Sequence, residues 1–196
     1  MDNVKSAFEK AMEKAAKIGE ITPQEKEQLK EQEELKKWLA EFYRGNLDRD
    51  GLWQQLKGKK PFILKKAQQS LIDSLGLSSN PEELKTRRDG IVAIETLKET
   101  QNTPVIEQIL DSIEMLQGEY QDRKERIADE IRAEIERNPQ MRLKPIRTPN
   151  GRTAFQATLS IDEAVQANLS ELLAEHEKVY SAEFIRMIYK LKQEIT

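Results

Sequence analysis

The sequence predicts a mostly α-helical protein with one β-hairpin. A helical N-terminal lobe is expected over residues 1–102, and a long helix–β-hairpin–helix arm of coiled-coil character over residues 103–196. Three observations predict this. Between Pro104 and Pro139 the chain has no proline, and Ile106, Ile109, Ile113, Leu116 and Tyr120 advance by alternating three and four, the spacing of a left-handed coiled coil. The next heptad position is Arg123, and the stripe resumes at Ile127, Ile131 and Ile135, a stutter that straightens the supercoil. After Asn138-Pro139 the apolar period changes from helical spacing to alternation, the signature of strands.

Composition sets the frame for these elements. The 196 residues give room for one domain, and 34% are charged, against about 25% in ordinary globular proteins. Only 37% are hydrophobic, which favours extended, solvated helices over a thick core. A formal net charge of -3 and a pI near 5.5 argue against a general nucleic-acid binder, which carries a basic excess. Cysteine is absent, which excludes disulfides, a thiol nucleophile and a zinc ribbon. With no long apolar run and no signal-peptide pattern, the expectation is a soluble cytoplasmic protein without membrane contact.

The helices follow in order from their start signals. An opening amphipathic helix over about 3–18 places Val4, Ala7, Phe8, Ala11, Met12 and Ala15 on one face and stops at Gly19. Thr22-Pro23-Gln24-Glu25 starts the next helix, which runs to about Arg44 with its apolar residues late: Leu35, Trp38, Leu39, Phe42 and Tyr43. A short helix holds Leu52, Trp53 and Leu56. Another, about 61–75, turns Ile63, Leu64, Ala67, Leu71 and Leu75 inward and ends at Gly76. Asn80-Pro81-Glu82-Glu83 opens a helix to about residue 100, and Thr103-Pro104 opens the long one. That helix spans roughly 52 Å at about 1.5 Å per residue.

Met141 and Leu143, then Phe155, Ala157 and Leu159, alternate with polar residues around the turn signal Thr148-Pro149-Asn150-Gly151. Gly151 is expected at positive φ. Ser160-Ile161-Asp162-Glu163 is a capping box that opens the last helix. Its expected stripe is Ile161, Val165, Leu169, Leu172, His176, Val179, Phe184, Ile188, Leu191 and Ile195, with a possible break at Ser181. The two arms match in length, so they are expected to fold back antiparallel, with Ile131 and Ile135 near Ile161 and Val165.

Chemistry-bearing patterns are sparse. Asn46-Leu47-Asp48-Arg49-Asp50-Gly51 matches the first half of a calcium loop, but Lys57 stands where the bidentate Glu belongs, so a turn with Asp48 capping the next helix is expected. Gly58-Lys59-Lys60 lacks the spacing and the Ser or Thr of a phosphate loop. His176 is the only histidine and lies on an apolar stripe, which suits a packed residue better than a base. The pairs Glu130/Glu134 and Glu171/Glu175 read as solvated faces. Trp38, Phe42, Tyr43 and Trp53 read as lobe core. No catalytic residue, cofactor or metal ligand is expected.

Two surfaces stand out. Ile106, Ile109, Ile113, Leu116, Tyr120, Ile127 and Ile131 form the expected oligomer or packing interface. Lys57, Lys59, Lys60, Lys65 and Lys66 occur in a stretch without acids, as do Arg142, Lys144, Arg147 and Arg152. These nine form a candidate basic surface for an acidic protein face, including the Glu-rich helix after Pro23, or for a phosphate backbone.

The segment from Val4-Lys5-Ser6-Ala7-Phe8-Glu9-Lys10-Ala11-Met12-Glu13-Lys14-Ala15 through Gly19 resembles the start of an uncharacterised bacterial family of charged helical proteins. The resemblance implies a bacterial, cytoplasmic protein and no particular activity. The helix–hairpin–helix arm is similar in architecture to prefoldin subunits, whose coiled-coil tips hold unfolded chains. The expectation is a non-enzymatic scaffold or adaptor that self-associates, most simply as a dimer, and contacts protein partners. A nucleic-acid-associated protein and a prefoldin-like holdase are the alternatives.

Overall fold

Side-chain caps set three of the helix starts in the computed structural model, which describes residues 23–147, 153–157 and 159–195. Six α-helices run through these residues: α1 (Pro23–Tyr43), α2 (Arg49–Leu56), α3 (Pro61–Asp73), α4 (Pro81–Glu95), α5 (Thr103–Arg137) and α6 (Ile161–Glu194). Asp48 Oδ1 accepts from Gly51 N at 2.7 Å, and Asn80 Oδ1 accepts from Glu83 N at 2.8 Å. Ser160 and Glu163 complete a reciprocal capping box at the head of α6. Each satisfies backbone N–H groups that the first turn leaves without a partner.

Other boundaries differ from expectation. α5 begins at Thr103 with Asn102 as its cap, and the Asn102 side chain reaches Glu194 in α6. α3 ends at Asp73 with Ser74 as its cap, ahead of Gly76. The left-handed residues are Gly45 (φ 76°) after α1 and Gly58 (φ 75°) after α2, where a side chain would be strained. The opening helix over 3–18, the Thr22 cap and Gly151 lie outside the described residues.

The residues assigned to lobe and arm share one apolar cluster. One core takes Leu35 and Phe42 from α1, Leu52 and Leu56 from α2, Ile63 and Leu71 from α3, and Ile91 and Ile94 from α4. It continues without a gap into Ile106, Leu110, Ile113 and Leu116 of α5 and Phe184, Leu191 and Ile195 of α6. The base of the arm is therefore lobe core. A short amphipathic lobe cannot cover its own inner face, and two helices that supply apolar residues at the right spacing close it.

α5 and α6 pack together along their lengths, with their distal parts sharing a second cluster. There Ile127, Ile131 and Ile135 meet Ala164, Val165, Leu169 and Leu173, with Met141, Leu159 and Ile161 packed at the far end. The last helix is continuous through Ser181, which decides between the one-helix and two-helix readings of this segment. Its buried line also departs from the expected stripe. Leu173 is buried, whereas Leu172 is 56% and Val179 70% exposed. The line advances by fours through Val165, Leu169 and Leu173, a long step that matches the straightened seam of α5 at its stutter.

The β element of the expected fold class is corrected as well: the fold is helical, and no β layer belongs to its architecture. Past a 3₁₀ turn at Pro139–Arg142, the backbone makes only an isolated antiparallel ladder, Leu143–Arg147 against Thr153–Ala157, with Pro145 opposite Phe155. No third strand joins it among the described residues. A two-stranded ladder is marginal on its own.

Candidate functional site

The residues expected as an interface are buried within the chain. Ile106 and Ile113 are fully inaccessible, Leu116 and Tyr120 are nearly so, and Ile109 is half-buried against the first core. Ile127 and Ile131 lie in the second cluster. Burying one Ile is worth about 1.5–3 kcal/mol, and here α6 and the lobe supply that burial without a second chain.

Between the clusters the seam turns polar. The Tyr120 and Tyr180 rings stand 5.3 Å apart, tilted by 55°. One turn further, Arg123 Nη2 lies 3.5 Å from His176 Nε2. The residue that breaks the heptad on α5 thus faces the single histidine on α6, and His176 is half-buried there. Burial first, then the Glu177 charge, push the Tyr120 phenol above its ordinary value, while a hydrogen bond with Ser78 pulls the other way.

The basic residues divide. Those from Lys57 to Lys66 meet their own chain. Lys59 lies over the Trp38 ring and 3.6 Å from Glu34. Lys60 pairs with Glu27 at 3.1 Å and Glu31 at 3.5 Å. The Glu27 hydrogen bond, together with the charges of Glu27 and Glu31, outweighs desolvation and raises the Lys60 ammonium above its ordinary value. Lys66 donates to Gln32 at 2.7 Å and stacks on Phe62; Lys57 stacks on Trp53. Lys65 is half-buried on α3. For Lys59 and Lys60 the acidic face is thus the Glu-rich α1 of the same chain. Arg142 Nε donates to Leu159 O at 2.8 Å and ties the entry of the ladder to its exit. Lys144 and Arg147 lie on the first strand, while Arg152 is outside the described residues.

Sequence reasoning missed a buried polar network. Glu95, 1% exposed, accepts from Asn102 N and Gln68 Nε2, each at 2.8 Å, and pairs with Lys98 at 3.0 Å. Lys98 also donates to Ile195 O at 3.1 Å. The network thus joins α3, α4, the start of α5 and the end of α6. Its signal was present, since Glu95 follows Ile91 by four on an apolar helix face. Gln68 Oε1 has no hydrogen-bond partner among the described residues.

A cleft of about 420 Å³ opens between α2, α4 and α5, lined by Trp53, Arg88, Asp89, Thr96 and Glu107. Trp53 Nε1 donates to Thr96 Oγ1 at 3.1 Å. Arg88 pairs with Asp111 at 2.5 Å and Glu114 at 3.0 Å. Burial works against its charge, but the Asp111 hydrogen bond and the surrounding carboxylates hold the guanidinium above its ordinary range. These groups brace α4 against α5. A nucleophile, a base and an orienting group do not converge there.

Among the described residues no group of three or more His, Cys, Asp or Glu could hold a metal ion. Nor is any described helix long and apolar enough to cross a membrane. Asp48 caps α2, as the reading of the calcium-like loop required.

No curated protein and no solved structure matches this chain. A family of unknown function does, over residues that exclude the opening stretch on which the sequence resemblance rested. Its profile matches residues 50–195, and the chain belongs to this family, DUF6657.

Proposed function

We propose that the protein is a non-enzymatic assembly or adaptor protein that works through protein–protein contacts, with the α5–α6 pair as its presenting element. One observation carries this reading. The distal part of the pair has its own apolar cluster, so it is braced without help from the lobe and holds Arg142 and the residues after it away from the first core. A rod stiffened in this way suits bridging better than enclosing a substrate. Action in the cytoplasm belongs to the same reading and is tested by fractionating native cells.

The nucleic-acid alternative loses half its footing, because Lys59 and Lys60 are neutralised by α1. The test uses the full chain as bait in native extract beside an Arg142→Glu/Arg147→Glu variant. A protein captured by the first and lost by the second supports the adaptor reading. Identical captures, or none, sink it. Binding of duplex or single-stranded DNA with a steep log–log salt slope would install the nucleic-acid reading instead.

A further inference from the structure

A second cleft, of about 510 Å³, opens where the turn between α3 and α4 meets α5, and its volume is that of a small-molecule site. Leu77, Pro81 and Leu84 supply its apolar lining. From α5 come Glu114, Gly118 and Asp122, which follow one another at steps of four and so share one helix face. The bare middle of that face has no cause within the chain. Glycine inside a helix is destabilising relative to alanine, yet a Cβ at Gly118 would meet nothing within 4 Å. No neighbouring side chain needs the space, whereas a bound group lying against the α5 backbone would. Gln117 also lines the cleft and is only 7% exposed. Its Nε2 donates to Gly76 O, and its Oε1 has no hydrogen-bond partner among the described residues. A buried acceptor left in this way calls for a donor from outside the chain.

We propose that this cleft binds a linear aliphatic polyamine, with an ammonium group at each end and methylenes between. Charge selects a cation, because the lining holds two carboxylates and no Lys or Arg. Arg88, outside the lining, pairs with both Asp111 and Glu114, so one guanidinium faces two carboxylates and a negative charge is left at that end. Asp122, at the other end, has no ion pair among the described residues. Spacing selects a ligand with two charged ends. Glu114 and Asp122 are eight residues apart, roughly 12 Å along the helix at about 1.5 Å per residue. Between them the uncovered backbone at Gly118 and the side chains of Leu77 and Leu84 offer a bed for methylenes. Gln117 Oε1 can accept from a secondary ammonium partway along the chain. An anion drawn to the start of α4 would instead meet Glu82 and Glu83 in its first turn, with Glu114 and Asp122 across the cleft.

This goes beyond the assembly reading and stands or falls without it. Isothermal titration calorimetry of the full chain with spermidine at low salt should show saturable binding at a single site. Butylamine, with one ammonium on a similar stem, should bind about tenfold more weakly. Glu114→Gln and Asp122→Asn should each weaken spermidine binding by about fivefold. Gly118→Leu should fill the cleft and abolish binding with the helical circular dichroism unchanged. Gly118→Ala, which fills less, should weaken binding while raising the melting midpoint, so loss of the ligand is separated from loss of the fold. No binding of spermidine overturns the proposal. Binding that is indifferent to both Gly118 variants overturns it too, as does equal affinity for butylamine. A lysine-rich peptide that binds the same cleft more tightly than spermidine would make it a groove for a protein partner and would also overturn it.

Discussion

Arg123 Nη2 stands 3.5 Å from Nε2 of His176, at the level where the apolar seam of the helix pair is interrupted. On one side lie Tyr120 and Tyr180, and on the other Ile127 and Leu173. Both residues give up hydration to face each other, and neither carries an opposite charge. Replacing both by leucine should join the two clusters into one seam and raise stability by about 1–3 kcal/mol. Urea unfolding of the Arg123→Leu/His176→Leu protein checks this. An unchanged or lowered midpoint would show that the polar layer already contributes as much as leucine would.

Two helical glycines should respond to alanine in opposite directions. A Cβ at Gly90 would lie 2.9 Å from Phe42 Cζ and 3.0 Å from Leu71 Cδ1, so Gly90→Ala should cost about 1–3 kcal/mol. At Gly118 a Cβ meets nothing within 4 Å, and Gly118→Ala should gain about 0.5–1 kcal/mol by removing backbone freedom from the unfolded chain. Thermal melts of the two variants decide the matter, and equal signs would refute the packing described around α4.

Glu95 is the polar group on which most neighbours depend. Glu95→Ala leaves Gln68, Asn102 N and the part-buried Lys98 without their acceptor, and should cost about 3–5 kcal/mol. Glu95→Gln keeps an acceptor for some of them and should cost less. If chemical denaturation ranks the two variants the other way, the carboxylate is not what holds this network.

Alkaline pH should act through Tyr120. Its folded phenol ionises above the ordinary value of 10.0, chiefly because it is buried and then because of Glu177. The unfolded phenol loses its proton first, so the folded state loses stability as pH rises from about 10 through the folded value. Urea midpoints at about pH 8 and about pH 11 should fall further for the native sequence than for Tyr120→Phe. Parallel falls would exclude this group as the source.

The helix starts at Pro23, Asn80-Pro81 and Ser160 were legible because each rests on local chemistry, a cap or a proline within one turn. The stutter at Arg123 was legible too, since periodicity survives in a single sequence. The line that α6 buries was not. Choosing Leu173 over Leu172 depends on the partner helix, whose straightened seam selects the longer step, and no local signal carries that. The merger of lobe and arm was hidden for a related reason. An apolar stripe records that something covers it without recording what, so Ile106 and Ile113 read equally well as an interface between chains. Glu95 shows the remaining limit: a carboxylate on an apolar face looks like an exception until Lys98, Gln68 and Asn102 are seen around it.

Leu191 and Ile195 fill the same core as Leu35 and Phe42. A ribosome reading this message makes those first residues long before the last ones emerge. Until then the nascent lobe carries an open apolar trough along α3 and α5, with the Lys98 ammonium lacking its Ile195 carbonyl. Completion of the lobe therefore waits until the last turns of α6 are in place. Translation speed and chaperone occupancy over residues 106–190 should govern the yield of native protein more than the intrinsic quality of the early helices.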